Sequence, residues 1–175
     1  MPTIPRALTN TLTTGSAASL LSLLMLALGA RREAQAIAAP MNAISHWFYG
    51  KRAYTIDDAS LKHTGVGVVV HHLSALVWGA LFEAVLKGLA KRRRPVATHI
   101  GKATKDRAPV GGVGAGPLLV GAAAVTAVAA LTDLKLVPER LTPGFENRLR
   151  PGSVALVYVA FAAGLAIAAA AARRD

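Results

Sequence analysis

Two adjacent histidines and a glutamate stand inside a strongly apolar stretch of the sequence, VVVHHLSALVWGALFE, which runs from Val68 to Glu83. His72 and Glu83 are eleven residues apart, so at about 100° per residue both lie within about 20° of one face of a helix. Gly79 lies between them and leaves that face open. We therefore predict that this face points toward other helices.

Further polar side chains are expected at the level of the two histidines. If each apolar stretch is a membrane helix, His71 and His72 lie about 10 to 12 Å inside the outer boundary, and Tyr158 has a similar depth on the last helix. Glu83 is expected to stand apart near the inner boundary and to pair with Lys87, four residues later. The candidate polar cluster consists of His46, His71, His72, Asp133, Glu146 and Tyr158.

Three hypotheses for this cluster stay open. Imidazole binds zinc, iron and copper, but His71 and His72 point about 100° apart on a helix, which does not suit one shared ion. A bis-histidine haem site would need His46 or a second chain. Histidine, tyrosine and aspartate also pass protons along a chain. In the third hypothesis, which we prefer, each imidazole hydrogen-bonds a backbone carbonyl, Ser74 or a neighbouring helix and fixes packing.

Four charge-free stretches must position these groups. They cover residues 7–30, 63–82, 108–132 and 151–172. Each approaches the roughly 20 residues that a helix needs to cross a hydrocarbon layer of about 30 Å. We predict an all-α polytopic membrane protein, a single membrane domain of residues 1–175 with four transmembrane helices in a bundle. The predicted spans are about 11–30, 64–86, 110–131 and 152–172.

The loops between these spans carry most of the charge of a chain that is 53% hydrophobic and has a formal net charge of +11. The basic loop at 87–109 contains the run Lys91, Arg92, Arg93 and Arg94. Short cytoplasmic loops collect such residues, which also meet lipid headgroups, so we predict that this loop and both termini are cytoplasmic. This placement gives no reason to expect a nucleic-acid partner.

The other two loops are predicted to form an ordered cap on the outer side. One is an interfacial loop at 31–63, in which Pro40 is expected to interrupt a short helix. The other is a proline-rich loop at 132–151, which is expected to hold turns rather than helices.

Glycine residues are expected to bring the helices into contact. Gly112 and Gly116, four residues apart, give the third span a smooth face, and Gly79 and Gly164 are candidates for the same role. The segment GGVGAGP invites comparison with a phosphate-binding loop, but it lacks the lysine and hydroxyl pair and no strand precedes it.

Several classes of site are excluded or disfavoured by residue type. The chain has no cysteine, which excludes disulfides, thiolate ligands and cysteine nucleophiles, and no serine lies in a nucleophile elbow. Arg31, Arg32 and Glu33 follow the first apolar run directly. We therefore expect that run to be retained as a span rather than removed as a signal peptide.

Three segments, APMNAISHWFYG, VHHLSALVWGALFE and LVPERLTPGFENRL, give the chain a layout that resembles small four-span bacterial inner-membrane proteins of unknown function, one branch of which is linked to acid resistance. The resemblance implies a bacterial inner-membrane location. It carries over no catalytic residue.

The sequence favours a small accessory or scaffold subunit that packs against other membrane subunits or itself, with membrane lipids around it. An enzymatic role is not expected, because no site is complete. The alternative is a proton- or small-solute-conducting module that uses His71, His72, Tyr158 and Asp133. A further alternative for the function is a membrane-embedded oxidoreductase component that binds haem or a divalent metal through His71 or His72.

Overall fold

The computed structural model describes residues 5–92 and 114–173, and all regular structure in these two ranges is helical. The α-helices are α1 (Arg6–Arg32), α2 (Ala39–Ile44), α3 (His46–Tyr49), α4 (Val66–Arg92), α5 (Ala115–Leu131) and α6 (Pro151–Ala171). Short 3-10 turns cover Gly50–Thr55, Glu139–Leu141 and Phe145–Asn147, and π-helical turns cover Leu61–Gly65 and Thr132–Leu136.

Four helices are long and apolar enough to cross a membrane, as predicted. They are Arg6–Arg32, Leu61–Lys91, Ala115–Leu136 and Pro151–Ala171. The first two extend beyond their predicted bounds, because hydropathy marks the apolar part of a helix rather than its last hydrogen-bonded turn. The start of the predicted third span, including Gly112, lies outside the described residues, as do Arg93 and Arg94.

Helix α1 packs against both α4 and α6, and α5 packs against the same two helices. Small residues set the closest approaches of α1. A methyl group on Gly164 would lie 2.5 Å from the Cα atom of Ala18, and one on Gly79 would lie 2.9 Å from the Cα atom of Gly15. These backbones therefore meet where there is no room for a side chain.

The opposite side of α1 is a row of exposed leucines. Leu20, Leu24 and Leu28 recur every four residues and are about half exposed or more. Residues at this spacing share one face of a helix. Such a face is compatible with contact to lipid chains, which makes the exposure of large apolar side chains unremarkable for a membrane-spanning helix.

The short helices lie together at one end of the long ones, and we call residues 33–65 and 132–150 the short-helix layer. Its two segments are joined by direct bonds, since Trp47 Nε1 donates to the Thr142 carbonyl at 2.8 Å and Arg148 Nη1 donates to the Tyr54 carbonyl at 2.6 Å. The loops predicted to form a cap therefore contact each other.

Two local expectations for this layer were wrong. Pro40 lies in the first turn of α2 and starts that helix, because a first-turn residue needs no hydrogen-bonding N–H group. The proline-rich loop contains two 3-10 turns, at Glu139–Leu141 and Phe145–Asn147, rather than simple turns.

Candidate functional site

A pocket of about 500 Å³ separates α4 from α5 and α6 beneath the short-helix layer. We call it the α4–α5 pocket. Its walls are mainly apolar and include both tryptophans of the chain, Trp47 and Trp78, and three of its four phenylalanines. Leu73 and Val77 of α4 also line it, although each is more than half exposed. The pocket therefore opens onto the outside of the helices at the level of an apolar span.

One face of α4 supplies one wall of this pocket. His71, Ser74 and Trp78 line it, and their spacing of three and then four residues places them on one face of the helix. Gly79 lies on a different face, where α4 meets α1. The helix therefore uses one face to close against α1 and another to border the pocket.

The tautomer of His71 follows from its contact with α1. His71 Nε2 lies 2.8 Å from Ser22 Oγ, and that hydroxyl also lies 2.7 Å from the Ala18 carbonyl oxygen, to which it donates. A hydroxyl has a single hydrogen, so with that hydrogen on the Ala18 carbonyl the imidazole donates from Nε2 and Ser22 accepts. His71 Nδ1 is therefore a hydrogen-bond acceptor.

A carboxylate borders the same pocket from the other side. Asp133 lies in the π-helical turn that follows α5, and the Tyr158 hydroxyl of α6 donates to Asp133 Oδ2 at 3.2 Å. Among the described side chains, no lysine or arginine forms an ion pair with Asp133. The pocket therefore contains a carboxyl group whose one described hydrogen-bond donor is Tyr158.

The predicted polar cluster is divided by the fold. His71, Asp133 and Tyr158 line the α4–α5 pocket, whereas His72 does not line it and is half-buried. Glu146 lines a separate cavity on another side of Tyr158. One Glu146 oxygen, Oε2, is buried without a hydrogen bond to any described residue.

His46 belongs to the short-helix layer rather than to the pocket. It is buried, with Nδ1 2.9 Å from the Ala43 carbonyl oxygen and Nε2 3.3 Å from the Glu139 carbonyl oxygen. Both ring nitrogens therefore face backbone acceptors. Neither nitrogen contributes to the lining of the α4–α5 pocket.

Tyr54 stacks beside His46 with 5.0 Å between the ring centroids. Burial raises the pKa of the Tyr54 hydroxyl above its ordinary value, and the nearby carboxylates of Glu146 and Glu139 raise it further. Two carboxylates of the second segment of the short-helix layer therefore lie near the Tyr54 hydroxyl of the first.

Glu83 pairs with a residue that sequence spacing does not indicate. Its buried carboxylate lies 3.2 Å from Arg173 Nη2, just after the end of α6. Lys87 is exposed, so the expected pairing with Glu83 was wrong. The expectation that residues four apart form an ion pair applies to neighbours on one helix. Here Glu83 of α4 pairs instead with a residue that follows α6.

The candidate glycines have different surroundings. Gly79 and Gly164 lie at close helix contacts, whereas Gly116 has no atom near enough to touch an added methyl group. Gly116 is exposed near the start of α5. Gly112 and the basic residues Arg93 and Arg94 lie outside the described residues, and Lys91 and Arg92 end α4.

Sequence reasoning missed several pocket residues. Ser22 was not among the candidates, although it contacts His71 across 49 positions of sequence. Neither tryptophan was a candidate either. Only the α4 spacing of His71, Ser74 and Trp78 was a signal for a shared face.

No group of three histidine, aspartate or glutamate side chains is arranged for metal binding in the part of the chain that the structure describes. No protein-family model, curated protein or solved structure matches the chain. The pocket and its chemistry are therefore the basis for a functional proposal.

Proposed function

We propose that this protein spans a membrane and binds an apolar or amphiphilic molecule from the bilayer in the α4–α5 pocket. In this proposal the four long helices form a bundle and the short-helix layer is its cap. The observation that supports the proposal is the pocket of about 500 Å³. Ligand sites typically have about 300 to 1,000 Å³, mostly apolar walls and a few polar groups, and Ser74, His71 and Asp133 are such groups here.

The proposed orientation places the pocket in the outer half of a bacterial inner membrane. Lys87 and Lys91 are exposed at the end of α4 that lies far from the short-helix layer, and a basic sequence follows them. Basic residues favour the cytoplasmic side, and the start of α1 and the end of α6 lie at that same end. The resemblance in sequence layout supports the bacterial inner membrane as the location.

The two tryptophans offer a direct test, because both line the pocket. The protein is reconstituted in lipid nanodiscs and titrated with dodecanol that carries bromine at the end of its chain, since bromine quenches tryptophan fluorescence. We expect saturable quenching that unbrominated dodecanol reverses.

A pair of variants on α4 controls this test. Ser74→Phe places a ring in the pocket and should abolish saturable quenching. Ala80→Phe adds the same ring at an exposed position of α4 outside the pocket lining and should leave quenching unchanged. Quenching that rises without saturation in the wild-type protein and in both variants would reflect random collisions in the bilayer, and the proposal would fail.

A second candidate function, the accessory or scaffold subunit, is favoured by the outer face of α5. This face exposes small and apolar residues of the kind at which membrane helices associate. They are Gly116, Leu119, Val120, Ala123, Ala127, Val128 and Leu131. We propose this face as the contact with another membrane subunit or a second copy.

The absence of cysteine makes this second candidate simple to test. Ala123→Cys on α5 and Leu24→Cys on α1 each introduce a single thiol at an exposed site. Oxidation of native membranes should cross-link the first variant and not the second. Equal cross-linking of the two would indicate random encounters and contradict the proposed contact.

The conduction and cofactor hypotheses have less support from the fold. Below the pocket, a proton or solute would have to pass the buried side chains of Phe82, Phe161 and Leu165. A haem bound at His71 would need its second ligand from another chain, because the nitrogens of His46 face carbonyl groups. An absorption band that is lost in His71→Ala would favour the cofactor hypothesis. Vesicle flux that is lost in the same variant would favour the conduction hypothesis.

A further inference from the structure

We infer that the α4–α5 pocket selects a lipophilic amine, a molecule with an apolar body and a protonated amino head that pairs with Asp133. This inference rests on the proposed function and specifies its ligand. It depends on three observations: an unpaired carboxylate, further hydrogen-bond acceptors and aromatic walls.

The Asp133 carboxyl group has acceptor sites that no described side chain other than Tyr158 uses. A carboxylate has about four acceptor sites, and the Tyr158 hydroxyl is the one described donor to it. A charge placed in apolar surroundings is costly unless it is paired. Lys135 is exposed and makes no ion pair among the described side chains, and Glu146, beside Tyr158, adds negative charge. A cationic ligand head supplies the missing partner.

The remaining polar atoms of the pocket also call for a donor. His71 Nδ1 is an acceptor, because Nε2 carries the hydrogen that Ser22 accepts. Ser74 adds a hydroxyl to the lining. A protonated primary amine has three N–H donors and no acceptor, so it can pair with Asp133 without bringing a further acceptor into the pocket. A carboxylate or phosphate head would instead meet Asp133 with the same charge.

The aromatic walls favour a cation as well. Trp47, Trp78, Tyr158 and Phe161 all border the pocket. The face of an aromatic ring attracts a cation, most strongly for tryptophan, while the apolar body of the ligand packs on the remaining surface. The expected order of affinity is therefore primary amine, quaternary ammonium, alcohol and then carboxylate.

Four compounds with the same twelve-carbon chain separate charge from hydrogen bonding. Dodecylamine, dodecyltrimethylammonium, dodecanol and dodecanoate each compete with the brominated dodecanol in nanodiscs, and the partition of each compound into protein-free nanodiscs is measured alongside. We expect dodecylamine to displace the probe at a concentration about tenfold below that of dodecanol, as a charge-assisted hydrogen bond would give. Dodecanoate should be the weakest competitor.

The variant Asp133→Asn keeps the shape of the side chain and removes its charge. We expect the preference for the amine over the alcohol to fall to about twofold or less, with dodecanol binding retained. Asp58→Asn makes the same change at an exposed position of the short-helix layer and should keep the full preference. If Asp133→Asn does not fold, Tyr158→Phe removes a donor and no charge, and it should keep or increase the preference.

The outcomes separate the inference from the proposed function. Equal displacement by dodecylamine and dodecanol overturns the amine preference and leaves the pocket as an apolar binding site. Loss of the preference in Asp58→Asn, or in Tyr158→Phe, also overturns it, because surface attraction or local structure would then be the cause. Failure of every compound to displace the probe overturns both.

Discussion

The contact between α1 and α6 and the contact between α4 and α5 are built from opposite kinds of residue. Gly164 of α6 touches the backbone of α1 so closely that a methyl group would lie 2.5 Å from the Cα atom of Ala18. Between α4 and α5, Trp78 and its aromatic neighbours border a pocket of about 500 Å³. Lipid is as apolar as a leucine side chain and gives little drive to bury one, so close packing of small residues is what holds membrane helices together.

This difference in residue size indicates which of the two helix contacts has room for a ligand. A contact closed on glycine and alanine leaves no space, whereas a gap lined by large rings leaves room for a lipid chain or a ligand. In the proposed function, one pair of helices provides stability and the other provides the binding site. Four substitutions test this division, and the largest expected effect comes first.

Gly164→Val should break the closed contact. Overpacking against a backbone forces the helices apart and costs about 3 kcal/mol of the free energy of unfolding. Unfolding is followed by circular dichroism as the fraction of dodecyl sulfate in mixed micelles increases. Gly116→Val, at a position with open space around it, is the matched control and should change stability little. Equal losses in the two variants would show that α1 and α6 do not meet in this way.

The ion pair of Glu83 and Arg173 joins α4 to the end of α6, far from the short-helix layer. Substitutions here test whether this ion pair stabilises the contact between the two helices. Arg173→Ala leaves the buried Glu83 carboxylate without its partner and should cost about 2 kcal/mol, less than a fully buried pair because Arg173 is partly exposed. Glu83→Gln should cost less, since it removes the buried charge itself. Lys87→Ala should have no effect in the same unfolding assay. A larger loss in Lys87→Ala than in Arg173→Ala would restore the pairing expected from sequence.

Arg148→Met tests whether the short-helix layer roofs the pocket. The guanidinium donates to Gln35 Oε1, the Tyr54 carbonyl and Asp57, and losing these bonds should cost about 1.5 kcal/mol. We expect faster proteolysis within the layer and weaker saturable quenching by the brominated probe. Arg140→Met changes an exposed arginine and is the control. Unchanged proteolysis and quenching in Arg148→Met would mean that the roof does not depend on this residue.

Ser22→Ala should have the smallest effect. Removing the hydroxyl takes away the acceptor of His71 Nε2 and costs about 1 kcal/mol. Nitrogen NMR of labelled histidine should show one tautomer of His71 in the wild-type protein and a mixture in the variant. Ser16→Ala on the same helix should leave the spectrum unchanged. A mixture already present in the wild-type protein would contradict the assigned tautomer.

Hydropathy and charge were sufficient to predict the four long helices, because a stretch without charges for about 20 residues has few other stable forms. They were not sufficient for the pocket. The face of α4 predicted to point inward is buried at Gly79 and Glu83, but His71, on another face, reaches the pocket. A helix that contacts both α1 and α5 buries two faces, and a single inward direction cannot describe it.

The partners of the polar groups depend on how the helices are rotated and spaced, which a lone sequence does not encode in any local pattern. Ser22 meets His71, and Arg173 replaces Lys87 as the partner of Glu83. Local rules such as the four-residue ion pair apply within one helix. Three members of the candidate cluster, His71, Asp133 and Tyr158, do line one pocket, but the separation of the others from them could not be predicted.

Leu73 and Val77 form an exposed rim of the pocket, and this rim determines which ligand concentration sets the occupancy. A guest that enters past these side chains comes from the surrounding lipid, so occupancy should follow the number of guest molecules per lipid rather than per volume of water. Diluting a suspension of membranes with buffer should leave the bound fraction unchanged for a guest that stays in the lipid. Adding protein-free vesicles should lower the bound fraction, because the guest is then shared among more lipid molecules.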